Sequence, residues 1–126
     1  MPLSVIEDYC SLVIKGFQSK MSLPGILVID TPGHEVFSNL RVRGGSVSDI
    51  SILVIDILEG VEKQTEECID ILRNRKTPFV VAATKIDRML GWNTKSGSQC
   101  FLESFDMQNQ RAQEELETKL YHLIGQ

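Results

Sequence analysis

Two short stretches carry residues whose types and spacing could do chemistry. The first is Asp30-Thr31-Pro32-Gly33-His34-Glu35, directly after the apolar run Ile26-Leu27-Val28-Ile29. That run is too short for a helix and rich in β-branched types, so it predicts a strand buried on both faces. Asp30 then falls at the carboxyl end of the strand, where open α/β sheets place their ligands. Gly33 lets a backbone N–H approach a ligand closely. Asp-x-x-Gly at such a place is how many nucleotide hydrolases hold Mg²⁺ and a terminal phosphate. A bare D-x-x-G is a weak signal, and D-T-P-G-H-E after I-L-V-I is a much stronger one.

The second stretch is Thr84-Lys85-Ile86-Asp87, past the apolar residues 79–83. A carboxylate there can accept from two adjacent N–H groups, as guanine presents on N1 and N2. The Lys stem beside it can lie along an aromatic ring. Taken by itself, T-K-x-D more often describes a polar transition from strand to loop. It lies two βα units after D-x-x-G, however, and that is the order of a guanine-nucleotide fold.

The elements that must position these stretches follow from periodicity. Ser4 and Glu7 predict a capping box. Ile6, Tyr9, Cys10, Val13 and Phe17 then mark one face of a helix, with an exit loop over 16–22. Residues 35–43 predict a short helix with Phe37 and Leu40 inward, stopped by Gly44-Gly45. Residues 50–55 predict a second strand, which also ends in a carboxylate, Asp56. After a turn at Glu59-Gly60, residues 62–75 predict a helix with Thr65, Cys68, Ile69 and Leu72 inward. Its acidic residues come early and its basic residues late, matching the helix dipole, and Thr77-Pro78 ends it. Residues 79–83 are the third strand and 91–100 a polar loop. One helix is predicted from about residue 103, with Ala112, Leu116, Leu120, Leu123 and Ile124 as its stripe. The order α-β-α-β-α-β-α predicts an α/β fold with a parallel sheet and right-handed crossings.

Bulk properties narrow the classes. At 126 residues the chain is one domain or a piece of one. Its 42% hydrophobic and 24% charged residues are ordinary for a globular protein. A net charge of -4 argues mildly against nonspecific binding to nucleic acid or an acidic membrane, while leaving room for a local basic patch. No apolar run approaches the ~18 residues needed to span a bilayer. The opening Met1-Pro2-Leu3-Ser4 lacks the features of a signal peptide. Cys10, Cys68 and Cys100 have no metal-binding spacing and read as thiols in a reducing cytosol.

Both stretches together give the chain a resemblance. End to end it resembles the G domain of the translation initiation factor GTPases that join ribosomal subunits, called initiation factor two in bacteria and initiation factor five B in archaea and eukaryotes. D-T-P-G-H-E at 30–35 resembles the third GTPase motif in its translational form, and Thr84 to Asp87 resembles the fourth. R-V-R-G-G at 41–45, Asp49, Glu59-Gly60 and Gln64-Thr65 continue the match. Asp87-Arg88 and Gly91-Trp92 are similar to the archaeal and eukaryotic branch. The resemblance implies a three-layer P-loop GTPase fold binding GTP or GDP with Mg²⁺. Asp30 would hold Mg²⁺ through a water, the Gly33 N–H would contact the γ-phosphate, and His34 would orient the attacking water. Thr84, Lys85 and Asp87 would bind guanine. A lone His at a helix start is ordinarily a solvated surface residue, and the surrounding motif reverses that reading for His34. His122 has no such context and reads as an exposed helix residue. The implied partners are the ribosome, at its subunit interface and GTPase centre, and initiator tRNA through the parent factor. Neither DNA nor a membrane is implied, and the location is cytoplasmic.

Some departures carry weight. The family's phosphate loop, G-x-x-x-x-G-K-[ST], has no match in this sequence, and neither does its strand and helix. Switch I would lie before Pro2, and the fifth motif, after a last strand, beyond Gln126. The expectation is that residues 1–126 form a partial G domain, running from the end of switch I through the helix after the fourth motif. Such a chain reads as a truncated product or an incomplete gene. Thr84 replaces the usual Asn of the fourth motif, and Lys63 a usual Pro. A partial sheet predicts a marginal or aggregation-prone domain that binds GTP poorly. A non-hydrolysing interaction module derived from the same domain is the alternative. A generic dinucleotide or flavin domain fares poorly, since no G-x-G-x-x-G follows any strand.

Overall fold

The computed structural model describes residues 1–10, 24–34, 38–94 and 101–125. Its elements are α1 (Leu3–Tyr9), α2 (Ser38–Val47), β1 (Ser51–Asp56), α3 (Lys63–Arg75), β2 (Phe79–Thr84), α4 (Phe101–Asp106) and α5 (Gln110–Ile124). The expected helix face at Val13 and Phe17, the 16–22 loop, Glu35, Phe37 and residues 95–100 lie outside the described residues.

β1 and β2 pair in parallel, with Ser51 opposite Phe79 and Asp56 opposite Thr84. Parallel neighbours require a long crossover, and α3 supplies it. The Glu62 N–H donates to Thr65 Oγ1 at 3.3 Å at the helix start. At its end Lys76 adopts a left-handed conformation with φ 57°, and its N–H reaches the carbonyls of Leu72 and Arg73. The βαβ order, the strand ends at Asp56 and Thr84 and the helix over 63–75 are as expected from the sequence.

Leu53 and Ile55 on one face of β1 are 7% and 5% exposed. They share an apolar groove with Ile69 of α3 and with Leu120 and Leu123 of α5. The other face is bare, with Ile52, Val54 and Val80 all more than half exposed. Burial is thus confined to one face of β1, and Val81, opposite Leu53 on β2, is itself 54% exposed. Among the described residues, no element covers the second. The main core lies past the strand ends. Ile57, Met89 and Leu116 are buried there, with Ala83, Ile86, Trp92, Phe105, Leu120 and Leu123 packed around them.

Four local expectations are corrected. Residues 26–30 are not a strand: the chain there has no sheet partner among the described residues, and Ile26, Leu27, Val28 and Ile29 are 47–82% exposed. A strand needs a ladder, and here the contacts stop at a bridge between Pro2 and Gly25 and a reciprocal pair of bonds between Met1 and Ile26. Second, Gly44 and Gly45 do not stop α2 but lie inside it. A Cβ at Gly44 would come within 3.1 Å of Thr31, and one at Gly45 within 3.3 Å of Ile71. The glycines serve close helix packing rather than termination. Leu40, expected inward on this helix, is 44% exposed, and Arg41 is buried instead. Third, the single C-terminal helix is two, because the Asn109 side chain accepts the Ala112 N–H at 2.9 Å and caps a new helix. Buried Gln108 braces that break by bonding the Asn93 N–H and carbonyl and the Ser104 carbonyl. Fourth, α1 starts after Pro2 with no side-chain cap bond, so Ser4 is within the helix rather than its cap.

Candidate functional site

The sequence-derived residues fall into two groups. Asp30, Gly33 and His34 lie on the loop between the extended segment 26–30 and α2, and all three are exposed. A Cβ at Gly33 would meet nothing within 4 Å, and its φ is not in the left-handed region. Neither packing nor backbone conformation therefore requires glycine at this position. The loop is held from behind by Arg41, whose guanidinium donates to the Pro32 carbonyl at 3.2 Å and to the His34 carbonyl at 2.9 Å.

Thr84, Lys85 and Asp87 gather at the carboxyl end of β2. The Thr84 hydroxyl donates to the Ile55 carbonyl at 3.2 Å and ties the two strand ends together. Lys85 has φ 62°, a conformation rare outside glycine and costing about 1–2 kcal/mol. Two flanking contacts maintain it. The Lys85 ammonium donates to Asp56 Oδ2 at 2.5 Å, and Ile86 and Met89 pack into the core beside Leu116. The 3₁₀ turn Ile86–Arg88 closes with the Arg88 N–H on the Lys85 carbonyl at 3.0 Å. This fold of the chain leaves the Asp87 carboxylate exposed.

Asp56 carries a role that sequence reasoning did not assign. Its Oδ1 accepts the Leu58 N–H at 2.9 Å while Oδ2 receives Lys85. The Lys85 hydrogen bond foremost, then the Leu58 N–H, holds its carboxyl below the usual Asp value. The sequence signal was a carboxylate at the end of a strand parallel to the one that carries Thr84-Lys85. Arg41 and Glu67 were also missed. Arg41 sits among R-V-R-G-G, where charge alone suggests a solvated side chain.

An apolar groove of about 730 Å³ between the sheet, α3 and α5 includes none of these residues in its lining. No group of three or more His, Cys, Asp or Glu among the described residues could hold a metal ion. Cys10 and Cys68 are free thiols, and burial pushes Cys68 upward. No helix among the described residues is long and apolar enough to cross a membrane.

A parallel βαβ unit has its strands ending at Asp56 and Thr84, with an exposed carboxylate, Asp87, just past β2, an arrangement of the nucleotide-binding α/β class. The family pattern of the Elongation factor Tu GTP binding domain matches residues 7–124, and the chain belongs to that family. Over all 126 residues it is 54% identical to the probable translation initiation factor IF-2 of Sulfolobus acidocaldarius, and 52% to that of Methanopyrus kandleri. It spans 21% of the length of each. Among solved structures, GDP-bound aIF5B from Aeropyrum pernix matches with a TM-score of 0.80 and 46% identity. That match covers 98% of this chain and 21% of the other. The fold is thus part of a GTPase G domain of the translation initiation factor type.

Proposed function

We propose that residues 1–126 contribute the loop after residue 30 and the guanine-binding turn to a GTP-hydrolysing domain. That domain would belong to a translation initiation factor that promotes joining of ribosomal subunits, acting in the cytoplasm with the ribosome and initiator tRNA as partners. The observation that carries this reading is the Thr84–Asp87 turn. A left-handed Lys85 and a core-anchored 3₁₀ turn leave one carboxylate exposed beside a Lys stem. Asp87 accepts from guanine N1–H and N2–H, the Lys85 stem lies along the ring, and Thr84 braces the strand ends.

At the other loop, the Gly33 N–H meets the γ-phosphate and His34 orients the attacking water. Glycine at 33 is unexplained by the protein's own packing, which fits a position reserved for ligand approach. Mg²⁺ commonly binds through one or two carboxylates, waters and substrate phosphates. A single exposed Asp30 fits that role as a water-bridged ligand, and the metal would neutralise phosphate charge.

The 126 residues by themselves supply few of the charge-assisted contacts that hold a triphosphate. Asp87 and Lys85 give about two strong bonds, so we expect a Kd near or above ~1 mM, about -4 kcal/mol, and no hydrolysis. Isothermal calorimetry of the purified chain with GTP and Mg²⁺ checks this. Micromolar affinity would overturn the expectation.

A further inference from the structure

Arg41 lies inside α2 and yet is only 6% exposed. A charge is buried at a cost of several kcal/mol unless it is paired and hydrogen-bonded. Its partners come from two directions. One is the carboxylate of Glu67 on α3, to which Arg41 Nη2 is ion-paired. The other is the pair of carbonyls at Pro32 and His34, both reached by Nη1. Glu67 is in turn held by the Ser38 hydroxyl from the first residue of α2. These two donors, Ser38 before Arg41, keep its carboxyl below the usual Glu value.

We propose that Arg41 is a positioning residue. It fixes the Pro32–Gly33–His34 backbone to α3 through Glu67, and so sets the direction of the Gly33 N–H and the place of His34. The carbonyls of 32 and 34 flank the Gly33–His34 peptide, so pinning both leaves that unit little freedom to rotate. Only guanidinium has the forked, planar donors to reach two carbonyls and a carboxylate together. Its Nε, buried and without a hydrogen-bond partner among the described residues, marks a side chain placed for what its terminal nitrogens hold. The functional meaning rests on the reading of Gly33 and His34 given above. The positioning itself does not require nucleotide.

The test uses the 126-residue chain without nucleotide, so its result is independent of whether GTP binds. NMR on isotope-labelled protein reads the ¹³C′ shifts of Pro32 and His34 and the ¹⁵N order parameters of Gly33 and His34. In Arg41→Gln both carbonyl shifts move, and the order parameters fall from about 0.85 to about 0.6 or less. Amides of β1 and β2 keep their shifts. Arg41→Lys reverses only part of the Arg41→Gln effect, because a compact ammonium lacks the planar fork that reaches the Glu67 carboxylate on one side and the two carbonyls on the other. Glu67→Gln keeps the Ser38 bond and the fold but loosens Arg41, giving smaller shifts at the same two carbonyls. Unmoved carbonyl shifts in a folded Arg41→Gln protein would overturn the proposal. Should Arg41→Gln unfold the chain, Glu67→Gln decides: loop shifts support the assignment, and an unchanged loop overturns it.

Discussion

Replacing Leu116 with Ala reaches the site through the core. Leu116 is fully buried, at 0% exposure, against Ile57 and Met89. The substitution removes three carbon atoms. At about 0.8 kcal/mol for each buried methylene-sized group, lost transfer energy comes to about 2.4 kcal/mol. The cavity left behind raises the total to about 3–4 kcal/mol, within the range for such truncations. That is a large share of a stability expected near the lower end of about 5–15 kcal/mol. Trp92 is the chain's only tryptophan and packs against this cluster, so its fluorescence reports urea unfolding. With a slope of about 1–3 kcal/mol per molar urea, the midpoint should fall by about 1–4 M. Leu102, 66% exposed on α4, is the control, and Leu102→Ala should stay within about 0.5 kcal/mol of the parent. Ile86 and Met89 flank Asp87 and rest on Leu116, so amide shifts at 86–89 should move first. A midpoint change below about 0.3 M for Leu116→Ala would refute the assignment of this cluster as the chain's main core.

Other perturbations probe the ion pairs, the packed glycine and the open sheet face. Asp56 and Glu67 both have folded-state values depressed below 3.8 and 4.5. Their stabilisation is therefore present above those values and lost as pH falls through the folded ones. Urea midpoints should be flat from about pH 7 to 5 and drop below about pH 4, and Asp56→Asn should flatten part of that drop. Gly45→Val places a branched side chain where Ile71 already stands 3.3 Å from a Cβ position, so it should cost about 1–3 kcal/mol by denaturation. Ile52→Lys with Val54→Lys charges a face that is 66% and 62% exposed. Light scattering should show less self-association, with stability changed by under about 1 kcal/mol.

How much of this was legible beforehand differs by residue. β1, α3 and β2 were readable because each is a local pattern: an apolar run, an amphipathic period, a Thr-Pro stop. The run at 26–29 looked like an equally good strand, but a strand exists only with a hydrogen-bonded neighbour, and composition cannot report that. Gly44-Gly45 looked like a helix stop because glycine is the usual C-terminal signal. Its other use, close approach to Thr31 and Ile71, depends on tertiary neighbours. At the candidate site, Asp87 and Gly33 stood out as members of dense motifs. Asp56, Arg41 and Glu67 did not, since they act through Lys85, Pro32 and His34 from elements distant in sequence. Pairings such as Arg41 with Glu67 become visible only when α2 and α3 are brought together.

On this reading the exposed Asp87 carboxylate, just past the end of β2, recognises guanine. A titration of the isotope-labelled chain with GDP, and separately with ADP, each at up to about 10 mM, tests it most directly. GDP should shift the amides of Thr84, Lys85, Ile86 and Asp87 progressively, with a Kd near or above ~1 mM. ADP offers no adjacent N1–H and N2–H pair and should leave those amides unmoved, and Asp87→Ala should abolish the GDP response. Equal shifts with both nucleotides, or none with GDP, would rule out guanine recognition by Asp87.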